Sequence, residues 1–289
     1  MTTKPSALGA ESASLPRRES RSAGAGADER GLMAMRDLAD GFSRRWLWGA
    51  MAWQDVLQRY RGSLLGPFWL TLSTAIMISS MGVLYSTLFK MPMATYLPFL
   101  TLGLLAWNLI SGLIVEGCQT FLVAENIIKQ IKLPLSTHAF RLVWRSLIVA
   151  AHNFVVYVVI VFLFDVPLGP ATLLVVPGIL LVAANGIWVA ILLGMLCARF
   201  RDIPQIAASL VQIAFFMTPI IWKPELLGPY EHLAHLNPFF AFVELIRAPL
   251  LGQAPHPTTW AIAVLVTLIG GGLTFAAFAR FRSRIAYWV

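Results

Sequence analysis

Few residues in this sequence could do chemistry inside an apolar setting, and Glu116 is foremost among them. It stands in a long apolar run with Gln119 three positions on, on the same face if the run is helical. A charge at mid-bilayer costs on the order of 3 kcal/mol on insertion scales, so Glu116 must face protein or water. It is a candidate gate residue, or else the partner of Arg141 or Arg145 in the next helix. His232 and His235, beside Glu231, have a spacing that could place two imidazoles on one helical face. In so proline-rich a segment we take them as interfacial polar residues and assign no metal site. Cys118 and Cys197 both lie in apolar runs and serve as small apolar residues. No G-x-x-x-x-G-K-[ST] stretch occurs, so the chain has no recognisable nucleotide site and no catalytic residue is assigned.

The elements that position these groups are membrane elements. Of 289 residues, 58% are hydrophobic and only 12% charged, far from soluble composition. The net charge of +8 does not indicate nucleic acid, because Lys and Arg gather at the ends of apolar runs. Residues 1–35 are poor in large apolar side chains and read as a disordered tail. Within 36–62, Leu38, Phe42, Trp46, Trp53, Leu57 and Tyr60 recur on one helical face opposite basic residues, the pattern of an amphipathic helix at the membrane interface.

Six apolar runs follow, at about 64–89, 96–124, 139–164, 171–198, 203–222 and 258–278. Each has the roughly 20 residues needed to cross a bilayer. Between the last two, residues 215–252 are apolar but cut by Pro219, Pro224, Pro229, Pro238 and Pro249. This predicts two short helices, about 224–236 and 239–250, broken at Asn237-Pro238 and forming a re-entrant hairpin. Basic segments alternate with poor ones: ten Lys and Arg precede the first run, one follows it, then four, none, two, two and three at the end. The expected fold is therefore an all-α polytopic membrane protein with six spans, a domain over 63–283, and both termini cytoplasmic, including the tail 284–289. Near the hairpin, Phe215, Phe216, Trp222 and Tyr230 offer aromatic faces suited to sugar rings and are candidates for a glycan channel.

Several pieces together are similar to one family. Arg59-Tyr60-Arg61-Gly62-Ser63-Leu64-Leu65-Gly66-Pro67-Phe68-Trp69 resembles the junction of interface helix and first span in type-2 ABC exporter permeases of the polysaccharide export family (O-antigen, capsule, teichoic acid). So do Asn126-Ile127-Ile128-Lys129 through Leu133-Pro134, Arg199-Phe200-Arg201-Asp202-Ile203, Thr218-Pro219-Ile220-Ile221-Trp222, Leu236-Asn237-Pro238-Phe239 and Arg284-Ile285-Ala286-Tyr287-Trp288, in that order.

The resemblance implies a homodimer in the bacterial inner membrane, paired with two copies of an ABC ATPase that hold ATP and magnesium, with a channel at the dimer interface. It implies a coupling helix over 125–132, with Glu125, Asn126, Ile128, Lys129 and Lys132 facing the ATPase. The implied cargo is a polysaccharide linked to undecaprenyl pyrophosphate, most plausibly O-antigen. Arg44, Arg45, Arg59 and Arg61, at the cytoplasmic interface among membrane lipids, would then attract its pyrophosphate. A membrane-embedded transferase on a lipid-linked glycan would need a convergent acid, base or metal site, and a secondary carrier several intramembrane charges. The sequence is poor in both.

Overall fold

The computed structural model describes residues 26–59, 61 and 68–289; the junction pieces Tyr60 and 62–67 lie outside the described residues. The described residues form helices and connecting turns, with no strand among them.

The amphipathic segment is two helices rather than one. Helix α1 (Ala27–Ser43) and helix α2 (Arg45–Arg59) meet at Arg44, whose ψ of 39° takes it out of helical conformation. Helix α1 also begins earlier than composition indicated, taking in residues 27–35 that were assigned to the tail. Asp28 and Glu29 in its first turn complement the helix dipole, and Ala34 is fully buried against the bundle. Phe42, Trp46, Trp53 and Leu57 remain exposed, as an interfacial stripe requires. The opposite face packs on the bundle: Trp48 lies 6.0 Å from Phe140 and 5.8 Å from Trp144, ring centre to ring centre.

Next come α3 (Phe68–Leu88), α4 (Met93–Gly117), the short α5 (Glu125–Gln130) and α6 (Ser136–Phe164). A 3₁₀ turn (Pro170–Leu174) leads into α7 (Val175–Arg199), followed by α8 (Ile203–Met217). After a second 3₁₀ turn (Pro224–Tyr230) come α9 (Glu231–His235), α10 (Pro238–Leu250), α11 (Pro257–Phe281) and, past a last 3₁₀ turn, α12 (Ile285–Trp288). Helix α4 is the central post, with Leu97, Leu100, Leu104, Trp107, Ile110 and Leu113 buried against α3, α6, α7, α8 and α10.

Five stretches are long and apolar enough to span a membrane: Thr71–Leu88, Met93–Gly117, Ser136–Phe164, Pro170–Arg199 and Pro257–Trp288. The predicted crossing at 203–222 differs. Helix α8 has 15 residues, about 22 Å at 1.5 Å per residue, and is too short to cross alone. It stops because Pro219 forces Thr218 into an extended conformation (φ −95°, ψ 135°). The chain from Thr218 to Trp222 then continues without helix.

The hairpin follows the proline spacing. Asn237 caps α10, its side-chain oxygen accepting from Phe239 N at 2.9 Å and Phe240 N at 3.4 Å, with Pro238 in the first turn. Phe240 through Val243 and Leu245 through Leu250 are buried, so α10 is inserted into the bundle between α4, α7 and α11. Its approach to α7 needs a glycine: a Cβ at Gly178 would stand 2.5 Å from Leu245 O.

Candidate functional site

Three places in the bundle concentrate polar chemistry. The first is the turn between α4 and α6. Helix α5 carries an internal Glu125–Lys129 pair at 2.6 Å, on side chains nearly half exposed. Asn126, Lys129 and Lys132 point outward, while Ile128 packs with Leu135 and Trp288 against the core. Immediately behind it, the carboxylate of Asp37, on α1, accepts from Leu135 N at 3.2 Å and Ser136 N at 3.0 Å and pairs with Arg282 at 2.9 Å. Ser136 Oγ donates to Asp37 O at 2.7 Å. The side chain of Asp37 is only 3% exposed, and it caps α6 from outside that helix. Helix α5 is thus a polar, outward-facing helix next to a tightly held first turn of α6.

The second place is a charge network across α2, α4 and α6. Glu116 accepts from Arg59 at 2.9 Å and from Arg145 at 2.7 Å. Arg141 makes a two-point contact with Asp55, donating from Nε at 2.7 Å and also from Nη2, while Arg145 reaches the same carboxylate at 3.4 Å. Glu116 thus pairs with Arg145, one of the partners its sequence offered, and also ties the interface helix through Arg59. Asp55, on α2 with its side chain 12% exposed, completes the network. Arg44, Arg45 and Arg61 are exposed and make no ion pair among the described residues.

The third place is the end of α8 and the hairpin. Here the chain leaves helical conformation, its carbonyls lack intrahelical partners, and side chains meet them. Tyr96 donates to Ile221 O at 2.8 Å, Arg247 to Pro219 O at 2.8 Å, and Tyr157 to Leu250 O. The side chain of Arg247 is 1% exposed, pairs with Glu244 at 2.7 Å, and lies 3.9 Å above the Phe99 ring. Sequence reasoning counted Arg247 only as a topology charge. A cavity of about 520 Å³ opens beside it, bordered by Phe99, Lys223, Glu225, Glu231, His235 and Glu244.

Of the four aromatic candidates, Phe215 and Phe216 meet edge to face at 5.3 Å. Phe215 packs on Trp107 at 5.8 Å, Phe216 and Tyr230 are exposed, and Trp222 donates to Phe216 O at 3.3 Å. His235 lies 3.8 Å from Glu231 and edge-on to Phe240, while His232 faces Pro229 O at 3.2 Å; the two imidazoles thus have separate partners.

The sequence profile of the ABC-2 type transporter family matches residues 47–251, from within α2 to the end of α10. The chain belongs to the ABC-2 type transporter family. All three polar places lie largely within the matched span. Curated relatives agree with this membership. An O-antigen export system permease protein RfbA from Klebsiella pneumoniae is 23% identical over 232 residues, 75% of this chain and 86% of that protein. A second from Klebsiella pneumoniae is 21% identical over 248 residues, 81% and 91% of the two chains. One from Myxococcus xanthus is 22% identical over 173 residues, 58% and 65%. As an ABC-2 chain it is a multi-pass transport subunit of a type-2 ABC system, and the family implies an ABC ATPase as its partner.

Proposed function

We propose that the chain is the transmembrane permease of an ATP-driven exporter that moves a lipid-linked polysaccharide of O-antigen type across the bacterial inner membrane. Two copies form the channel and pair with two copies of the ATPase, which binds ATP and magnesium. Both termini are cytoplasmic, and α8 with the extended residues after it supplies a sixth crossing. The observation that carries this reading is helix α5, an exposed polar helix that leads into the first turn of α6, where Asp37, paired with Arg282, holds the backbone. A moving partner can push there without unfolding the turn. Relatives named for O-antigen export supply the cargo class.

Glu125, Asn126, Ile128, Lys129 and Lys132 form the coupling surface, Ile128 by seating α5 on the core. A push on α5 reaches α6 through its first turn and α1 through Asp37, a shear of packed helices. Arg44, Arg45, Arg59 and Arg61 draw the pyrophosphate of an undecaprenyl-linked glycan to the cytoplasmic surface, guanidinium forks matching phosphate oxygens. Glu116, bonded to Arg59, then acts as the latch that an arriving phosphate competes against. Phe215, Phe216, Trp222 and Tyr230 stay as channel candidates at the outer end. The export assay is direct: a strain lacking this gene should keep its lipid-linked glycan on the cytoplasmic leaflet and regain surface polysaccharide on complementation. Unchanged surface polysaccharide in the deletion strain would reject the reading.

A further inference from the structure

Between α4 and α6, beside the charge network, lies a cavity of about 80 Å³ whose lining includes Arg59, Asn108, Gly112, Glu116, Arg145 and Asn153. Two buried polar atoms there lack a hydrogen-bond partner: Nε of Arg145 and Oδ1 of Asn153, a residue only 7% exposed. Buried polar atoms are rarely left unmet, and inside a membrane segment the cost is greater. Asn153 stands eight residues beyond Arg145 on α6, about 12 Å deeper. The cavity adjoins a larger apolar one of about 460 Å³, sharing Leu105, Leu109 and Ala150 with it.

The order is therefore cations at the mouth, unmet polar atoms behind them, and apolar space beside. Arg59, Arg141 and Arg145 share the two carboxylates of Glu116 and Asp55, Arg145 reaching both, so the network carries one more cation than anion. The Arg59 side chain is 49% exposed and meets Glu116 through one nitrogen, so its fork has a second donor edge to offer. Basic pockets between helices on the cytoplasmic side suit lipid headgroups, and guanidinium forks suit phosphate.

We propose that this cleft is a binding site for one anionic lipid per subunit. Its phosphate is held by Arg59 and Arg145, its polar linkage meets Asn153 directly or through water, and its chain occupies the apolar cavity. The phosphate chemistry is shared by a bulk phospholipid and by a polyprenyl phosphate carrier. The site shares Arg59 with the export reading but does not depend on the cargo being a glycan.

The test uses the purified full-length permease in detergent, with bound lipid read by native mass spectrometry and thermal shift. Phosphatidylglycerol and a polyprenyl phosphate should each be retained at one per chain and should raise the Tm. Competition between them identifies which source the site prefers. Arg59→Gln and Asn153→Leu should each weaken retention by about tenfold, the scale of a lost charge-assisted or buried hydrogen bond. Arg36→Gln, which removes an exposed cation on α1 outside the cleft, should leave retention unchanged. Leu is close in shape to Asn and removes an unmet acceptor, so Asn153→Leu should be at least as stable as wild type without lipid. Four results would overturn the proposal: equal retention of phosphatidylcholine, retention unchanged in both cleft variants, displacement of the lipid by inorganic pyrophosphate alone, or loss of lipid-free stability in Asn153→Leu.

Discussion

Asp37 and Arg282, 245 positions apart in the sequence, form an ion pair of 2.9 Å that ties the first described helix to the end of the last crossing. The same carboxylate holds the amide groups of Leu135 and Ser136, so three distant parts of the chain meet at one side chain. There is no slack in this joint: a Cβ on Gly41 would come within 2.1 Å of Ser136 Oγ.

Removing Asp37 strands both a cation and a helix N-terminus. Asp37→Ala should cost about 3–5 kcal/mol, the range for breaking a buried pair. Arg282→Gln should cost about 1 kcal/mol, since the two amide donors still satisfy the carboxylate. Thermal unfolding of the two single variants and the double variant checks this; the double should cost little more than Asp37→Ala alone, because the residues share one interaction.

Beside the hairpin, Arg247 is held by Glu244, Pro219 O and the Phe99 face at once. Arg247→Met should destabilise by about 3 kcal/mol, because Glu244 and the Pro219 carbonyl both lose their partner. Arg247→Lys keeps the charge but loses the fork, and should recover only part of that loss. Protease sensitivity of residues 218–230 in membrane vesicles, read alongside the Tm, tests whether the damage is local to the hairpin.

Gly178 sets how closely α10 lies on α7. Gly178→Ala should push the helices apart and cost about 1–3 kcal/mol as overpacking. Gly112→Ala, in the same bundle but with no atom within 4 Å of the added methyl, should be near neutral. The pair of variants, compared by thermal unfolding, separates close approach from the general presence of glycine in membrane helices.

Much of this architecture was legible in the sequence because its signals are local. Proline spacing located the hairpin, Asn237-Pro238 marked its break, and the apolar runs located five long crossings. Pairings between distant residues have no local signature. Asp55 meets Arg141 across 86 positions, and on α2 it resembles any polar residue off an apolar stripe. Arg247 enters a sequence count only as one more basic residue, because burial of an arginine depends on Phe99 and Pro219, which only the fold brings near. The length of α8 was overestimated because hydropathy continues through Thr218–Trp222, whereas the backbone restriction imposed by Pro219 does not register in an apolar count. The four aromatic channel candidates were chosen by nearness in sequence, and rotation about the α8 axis sends Phe215 inward and Phe216 outward.

Exposed ion pairs on α5 should matter for coupling and little for folding. The Glu125–Lys129 pair contributes about 0.3–0.5 kcal/mol, so exchanging the two residues should leave the Tm within a degree or two. Stimulation of the partner ATPase by the permease should nonetheless fall severalfold, measured on the purified pair.

The most direct test of the account is where α5 docks. Asn126 is exposed on that helix, and Tyr230 is exposed at the opposite end of the bundle. With a short thiol-to-amine crosslinker in native membranes, Asn126→Cys should capture an ABC ATPase subunit and Tyr230→Cys should not. Capture from Tyr230→Cys with none from Asn126→Cys would contradict both the coupling surface and the orientation of the chain.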